Sequence, residues 1–514
     1  MDVNYKILIG LILILTLFVN TAQAQKYGFL WSYETDWDVN SVSISSDGSY
    51  IAAGSEDSKV YLLDREGNLL WSYETLIKGD SVLSVSISSD GSYIAAGTGG
   101  IWSDEVRLLD RERNLLWSYE TGGSVLSVSI SSDGSYIAAG SDKVYLLDRE
   151  GNLLWNKTTG GWVYSVSISS DGSYIAAGTG GIWGDKVCLF DKEGNLLWSY
   201  ETGDDVRSVS ISSDGSYIAA GSDDKVCLFD KEGNLLWSYE TGGSVLSVSI
   251  SSDGSYIAAG SDKVYLLDRE GNLLWSDYEG SGVNSVSITP NGEYIAVGSY
   301  YKGYTRRGVV YLFASEHAVH VIIEEARNVI LSEKSRGYNM QEAESLLTQA
   351  KNEFKAGDYS IANKLALKAK EKALQIAKQA ELSKKAMEEA RNTVLSEKNK
   401  GYNIHEAESL LSQAEEAFDA GDYKKAKEMA ENAKALALDI DQDGVPNDSD
   451  FAPTIKNIYV YGAGAVLVTA FAGVGINIKR RKEYQAKVRE YKAKYEQLKA
   501  EGFEPDEELE ELLK

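Results

Sequence analysis

The chain has 514 residues and a formal net charge of −26. That acidity argues against nucleic acid as a partner, because phosphates need a basic surface. Two cysteines in so long a chain exclude a disulfide scaffold.

Residues 1–24 read as a secretory signal. Lys6 gives a basic start, Ile7 to Val19 are apolar, and Ala22-Gln23-Ala24 is a small-x-small cleavage site before Gln25. An uncleaved membrane anchor is the alternative reading.

From Ser41 the chain repeats. Ser-Val-Ser-Ile-Ser-Ser-Asp-Gly-Ser-Tyr-Ile-Ala-Ala-Gly spans Ser41 to Gly54, and its Asp-Gly or Asn-Gly pair returns at Gly91, Gly134, Gly172, Gly215, Gly254 and Gly292. A period near 40 signals a repeat architecture. Within each copy, Ser-Val-Ser-Ile alternates like a half-buried strand, and Asp-Gly predicts a hairpin turn with both central residues at positive φ. Tyr-Ile-Ala-Ala-Gly predicts a second strand, Lys59–Asp64 a third and Leu69–Tyr73 a fourth. Seven copies of four short strands predict a seven-bladed β-propeller.

The seventh copy stops at Phe313 after three strands, while Phe29-Leu30-Trp31-Ser32-Tyr33 precedes the first copy as an orphan fourth strand. Joining the two closes the ring and leaves no long open edge. The recurring Asp64, Asp110, Asp148, Asp191, Asp230 and Asp268 suit a turn contact. Cys188 and Cys227 take a third-strand position held by Tyr in four other copies, and read as packing thiols.

Two resemblances cover about residues 26–316. Val42–Ser55 resembles the first half of a WD repeat, without its Trp-Asp dipeptide. Val60–Trp71 resembles the second half of a pyrroloquinoline-quinone-type propeller repeat, with a Gly turn and a docking Trp. The second resemblance implies a dehydrogenase with eight blades, a calcium-bound cofactor and adjacent cysteines. Seven blades and no adjacent cysteines count against it. The three histidines, His317, His320 and His405, lie beyond the strands, so no catalytic residue is expected in the propeller and no organic cofactor.

Variation between copies falls in the loops joining strands two and three and in those joining successive blades. Both sets belong to one face. The candidate binding residues there are Trp37, Trp102, Trp162, Trp183, Tyr304, Arg306 and Arg307, aromatics and Arg being enriched where surfaces bind. Drift in tolerant loops is the competing reading.

Residues 317–438 are rich in Ala, Glu, Lys and Leu at helical spacing and repeat with an offset of 64. Each unit reads as three helices, broken at Gly337-Tyr338-Asn339 and Ala356-Gly357-Asp358-Tyr359, and again at Gly401-Tyr402-Asn403 and Ala420-Gly421-Asp422-Tyr423. The second and third helices resemble a tetratricopeptide hairpin, in a longer unit. A helical spacer is expected.

Residues 439–456 read as a stem. Asp439, Asp441, Asp443 and Asp450 with Gly444 have the spacing of a calcium loop. The stretch is similar to a thrombospondin type 3 repeat, with Ala452 in place of its Cys. That resemblance implies Ca2+ ligands at Asp439, Asp441, Asp443, Asn447 and Asp450 and the Val445 carbonyl. A solvated acidic linker is the alternative. Residues 457–478 carry no charge and suffice for a single transmembrane helix. Lys479-Arg480-Arg481-Lys482 follows and places residues 479–514 in the cytoplasm. Tyr484, Val488, Tyr491, Tyr495 and Leu498 form a short coiled-coil seam.

The expected whole is multidomain: signal 1–24, all-β propeller 25–316, all-α repeat domain 317–438, stem, membrane helix and tail. Its expected function is a cell-surface scaffold binding an extracellular protein or glycan, with oligomers possible through the helices or tail. The alternatives are a structural envelope protein without a specific ligand, and least of all a quinone-dependent enzyme. Asn156-Lys157-Thr158 and Asn447-Asp448-Ser449 are glycosylation sequons.

Overall fold

The computed structural model describes residues 26–75, 80–100, 104–181, 184–277, 282–300 and 307–439. The signal segment, Trp102, Trp183, Tyr304, Arg306, the calcium-loop residues from Asp441 onward, the 457–478 segment and the tail lie outside the described residues.

Among the described residues twenty-eight strands, numbered β1 to β28 in chain order, form seven four-stranded antiparallel sheets. Six sheets are sequence-continuous. The seventh takes β26 (Gly282–Ile288), β27 (Tyr294–Tyr300) and β28 (Val309–Ser315), then adds β1 (Tyr27–Glu34) outside β28. Phe29 pairs with Phe313 and Glu34 with Val309. The orphan strand therefore closes the ring, as its sequence predicts.

Alternation in the repeat decides what each blade buries. In the inner strands Val42 and Ile44 enter the core, as do their copies, and the second and third strands are almost wholly buried. Each core lies between neighbouring blades. One such cluster joins Ala52, Val60 and Leu62 of the first blade to Val82, Val85, Ile87 and Ile94 of the second. The two serines of each inner strand do a different task. Ser41 and Ser43 Oγ accept from the Val85 and Ile87 N–H of the next blade, at 3.0 and 3.1 Å. The pattern returns at every interface and closes with Val42 and Ile44 donating to Ser285 and Ser287. An inner strand has no neighbour on its axial side, so these hydroxyls satisfy donors that would otherwise be unpaired.

The Asp-Gly turns differ from the expected two-residue hairpin. Ile44 pairs with Ile51, which leaves a six-residue loop, and only Gly48 has positive φ, at 70°. Asp47 holds the loop by accepting from Ser45 Oγ, the Ser49 N–H and Ser49 Oγ. The carboxylate, rather than a strained Asp backbone, sets this turn. At the third-strand ends the expected turn contact is present. Asp64 accepts from both the N–H and the side-chain amide of Asn68.

Among the described residues five helices follow: α1 (Glu316–Ser335), α2 (Gln341–Ala356), α3 (Tyr359–Asn399), α4 (His405–Asp419) and α5 (Tyr423–Leu438). The breaks fall where the sequence places them. Gly337, Gly357, Gly401 and Gly421 all have positive φ, and Asp358 and Asp422 cap the helices that follow. The expectation of three separate helices per repeat is corrected. The third helix of the first repeat and the first of the second are one 41-residue helix, α3. No Gly or Pro stands between Asp358 and Lys400 to end it.

The chain separates into two compact units. One runs to Ile330 and includes Glu342–Glu371; the other comprises Leu331–Gln341 and the residues from Lys372. In the first, the Tyr359 ring lies against Gly28, and Ser360 Oγ donates to the Leu30 carbonyl at 3.0 Å. In the second, Ala390, Leu411, Ala414, Ala430 and Ala433 form the core, and the Asn339 N–H donates to the Tyr423 hydroxyl at 2.7 Å.

Candidate functional site

The two ends of the propeller are chemically unlike. One carries the turns between strands one and two and between three and four. It is fastened by repetition. The Tyr50 ring lies against Gly91 of the next blade and under the Arg111 guanidinium, 4.8 Å from its centroid. Equivalent pairs are Arg149 over Tyr93, Lys231 over Tyr174, Arg269 over Tyr217 and, across the seam, Arg65 over Tyr294. Each outer-strand Trp also reaches the next blade. Trp31 Nε1 donates to the Arg65 carbonyl at 2.6 Å, and Trp71, Trp117, Trp155, Trp198 and Trp237 repeat the contact. The Gly turn and docking Trp behind the quinone-type resemblance are thus accounted for by blade packing.

The other end carries the remaining loops. Trp37 sits in the loop before the first inner strand. Its carbonyl accepts from Gly308 N–H and Ser55 Oγ, which fixes the loop, while the residue stays 42% exposed. Trp162 is not in a loop, as expected, but is the first residue of β14 (Trp162–Ile168), and is 51% exposed. Arg307 is exposed and paired with Glu34 at 3.0 Å. The fold therefore brings Trp37 and Arg307 close through Gly308, and places Trp162 three blades away on the same end.

The structure adds a set that the sequence reading passed over. One residue lies between the invariant core Val and the first serine of each inner strand. It is Asn40, Leu83, Leu126, Tyr164, Arg207, Leu246 or Asn284 in turn. In four blades it forms a β-bulge, with register shifts between Val39 and Ser41, Val82 and Ser84, Val163 and Ser165, and Val283 and Ser285. Bulges re-aim a side chain and recur at rims and sites. Asn40 and Asn284 donate to the Val82 and Val39 carbonyls of the following blades, and Arg207 Nε donates to Asp223 at 3.0 Å. The signal was available: one variable letter inside an otherwise constant Val-x-Ser-Val-Ser-Ile run.

The electrostatics are mixed at this end. Burial and the neighbouring Asp205 carboxylate hold Asp185 above the usual carboxylate range. Cys188 and Cys227 are free and buried, and burial pushes the Cys188 thiol up to about 11, against the pull of Lys186. Such a thiol is protonated and inert at neutral pH, which fits the packing role. Among the described residues no group of three or more His, Cys, Asp and Glu is placed to hold a metal ion. Asp439 is the one proposed calcium ligand among them, at the end of α5.

The WD domain, G-beta repeat family matches residues 29–64, 114–144 and 272–302, and a family of unknown function, DUF5711, matches residues 140–261. No curated protein matches the chain. The chain thus contains WD repeats arranged as a seven-bladed propeller, an architecture suited to a protein-interaction scaffold.

Proposed function

We propose that the protein is a membrane-anchored scaffold at the cell surface, and that the variable end of its propeller binds an extracellular protein or glycan. One observation carries the reading. Seven nearly identical blades differ at one end, where Asn40, Leu83, Leu126, Tyr164, Arg207, Leu246 and Asn284 encircle the axis. Packing in a symmetric ring can be met by the same residue seven times, so variation at this one position inside a constant run supports a role in recognition. Trp37 and Trp162 extend the same surface. No catalytic step is assigned to it.

The signal-like 1–24 segment, the uncharged 457–478 segment and its basic flank support the anchored, propeller-outside topology. Among the described residues no helix is long and apolar enough to cross a membrane, so the anchor rests on 457–478. The Asp439–Asp450 loop supplies the oxygen-rich ligand set that a hard Ca2+ ion takes.

The test is a protein and glycan array probed with the ectodomain, residues 25–438, and with Tyr164→Ala/Arg207→Ala. Loss of the wild-type hits in the variant, with an unchanged melting temperature, supports the reading. Hits that survive the double substitution place binding elsewhere.

A second reading, a structural envelope component, draws on the rim. Leu69, Leu70, Leu115, Leu116, Leu196 and Leu197 are among the exposed apolar side chains that begin the outer strands. An apolar rim favours side-by-side packing of propellers. Sedimentation that stays monomeric at high concentration would remove it.

A further inference from the structure

Five of the seven outer strands carry the same run after their tryptophan, and the sixth blade reads Ser276-Asp277 there. The run reads Ser-Tyr-Glu at Ser32–Glu34, Ser72–Glu74, Ser118–Glu120, Ser199–Glu201 and Ser238–Glu240. In the third blade it reads Asn156-Lys157-Thr158. Asn and Thr are both needed for an Asn-x-Thr acceptor, and in the propeller both appear here alone.

The change gives up a ring contact that other blades make. In the second, fourth and fifth blades the tyrosine of this run meets a ring of the next blade: Tyr119 with Tyr145, Tyr200 with Phe229, Tyr239 with Tyr265. In the third blade Lys157 takes the tyrosine's place, and across the interface Cys188 stands where other blades present Tyr145 or Tyr265, while Phe190 remains and packs on Trp155. A cleft of about 530 Å³ opens there, lined by Lys157, Thr158, Thr159, Cys188, Phe190 and Ser199 among others.

The position suits modification. The run ends β13 (Leu153–Lys157), the outer edge of its sheet. Asn156 is exposed in the last turn-out of the ladder, opposite Tyr145, and Thr158 lies just past the strand end and is exposed. An acceptor must leave extended geometry to offer its amide and its hydroxyl together. A strand end on an open edge requires little unpairing for that.

We propose that Asn156 carries an N-linked glycan, which covers the cleft beside Lys157. In the step, Asn156 Nδ2 attacks the anomeric carbon of a lipid-pyrophosphate-linked oligosaccharide. The new bond is C1–Nδ2. The C1–O bond to pyrophosphate breaks and its electron pair leaves with the lipid pyrophosphate, while the Nδ2 proton passes to a carboxylate of the transferase. Thr158 Oγ positions the acceptor and stays unmodified. The proposal rests on the secreted topology above.

The full chain would be translated with microsomal membranes, which hold such a donor. Protease protection of the propeller reports translocation. A mobility shift removed by endoglycosidase reports glycan transfer. Expected is a protected chain whose shift falls by one glycan in Asn156→Gln and in Thr158→Ala, and survives in Thr158→Ser. A protected chain with no shift dependent on Asn156 overturns the glycan and leaves the topology standing. An unprotected chain overturns the topology and the glycan with it. Equal melting of wild-type and Asn156→Gln chains lacking glycan shows that the shift does not report misfolding.

Discussion

Arg113 is the residue at which the repeat contradicts its own rule. Five other blades place glycine in the turn between third and fourth strands, Gly67 and Gly151 for example, at φ near 86°. The second blade has Arg113 at φ 74°. A non-glycine residue in the left-handed region costs on the order of 1 kcal/mol or more, and nothing in the structure explains its retention. Arg113→Gly should therefore raise stability by about 1 kcal/mol, and Gly151→Arg should lower it by at least as much, read by urea melts. The loop aspartates set the acid limit. A hydrogen bond from Ser135 holds Asp133 below the usual carboxylate range, and one from Ser173 does the same for Asp171. A depressed folded pKa means the stabilisation is present above the unfolded value, about 4, and is lost as pH falls through the lower folded value. The propeller should hold its melting temperature from pH 7 to about 5 and lose it steeply below about 4. A Ser135→Ala/Ser173→Ala variant should show a shallower loss in the same scan.

At the scale of the element, β1 is the closing strand and α3 its cover. At the seam there is no turn for the sixth blade's tryptophan to reach. Trp275 packs instead on the Tyr27 and Phe313 rings, at 5.4 and 5.3 Å. The Tyr27 hydroxyl donates to the Gly292 carbonyl. Gly28 stands where other outer strands have Asn68 or Asn152, and a Cβ on it would lie 2.4 Å from the Tyr359 ring. Gly28→Val should therefore destabilise by about 1–3 kcal/mol through overpacking, and Tyr359→Ala introduced with it should recover part of the loss. Two independent decrements would mean that the rings are not in contact in solution. The strand itself was legible, because Trp31 sits in an outer-strand run without a blade. Its cover was not, since Gly28 and Tyr359 are 331 positions apart and only the closed ring brings them together. The fusion of helices into α3 was readable from the absence of Gly and Pro between 358 and 400. The repeat offset of 64 suggested a boundary there that no residue enforces.

For the whole molecule, the repetition that makes the fold legible also hides the candidate site. A period near 40 points to blades and to seven of them. The loop tryptophans drew attention because they are large. The smaller variation at Asn40, Leu83, Tyr164 and Arg207 is a single letter in each repeat, and the ring sets these letters around one end. Closure likewise decides where the propeller ends as a stable body. By sequence the change from strand to helix falls at Ser315 and Glu316, but the compact unit extends through Glu342–Glu371. Ala343, Leu347 and Ala350 of α2 and Ala362, Ala366 and Ala369 of α3 are buried, and Lys370 pairs with Glu325 of α1 at 3.0 Å. These helices bury apolar surface beside β1, the strand whose loss would open the ring. A chain ended after Glu371 should therefore melt with the same propeller transition as the full ectodomain. A chain ended after Glu316 exposes Leu30, now 6% exposed, and removes the Ser360 contact to its carbonyl. Uncovering one such side chain costs about 1.5–3 kcal/mol, so the shorter chain should melt several degrees lower and exchange the amide protons of β1 faster than those of β5 (Leu69–Glu74). Equal melting of the two truncated chains would show that the first helical repeat is a passenger on the propeller and that β1 alone holds the ring closed.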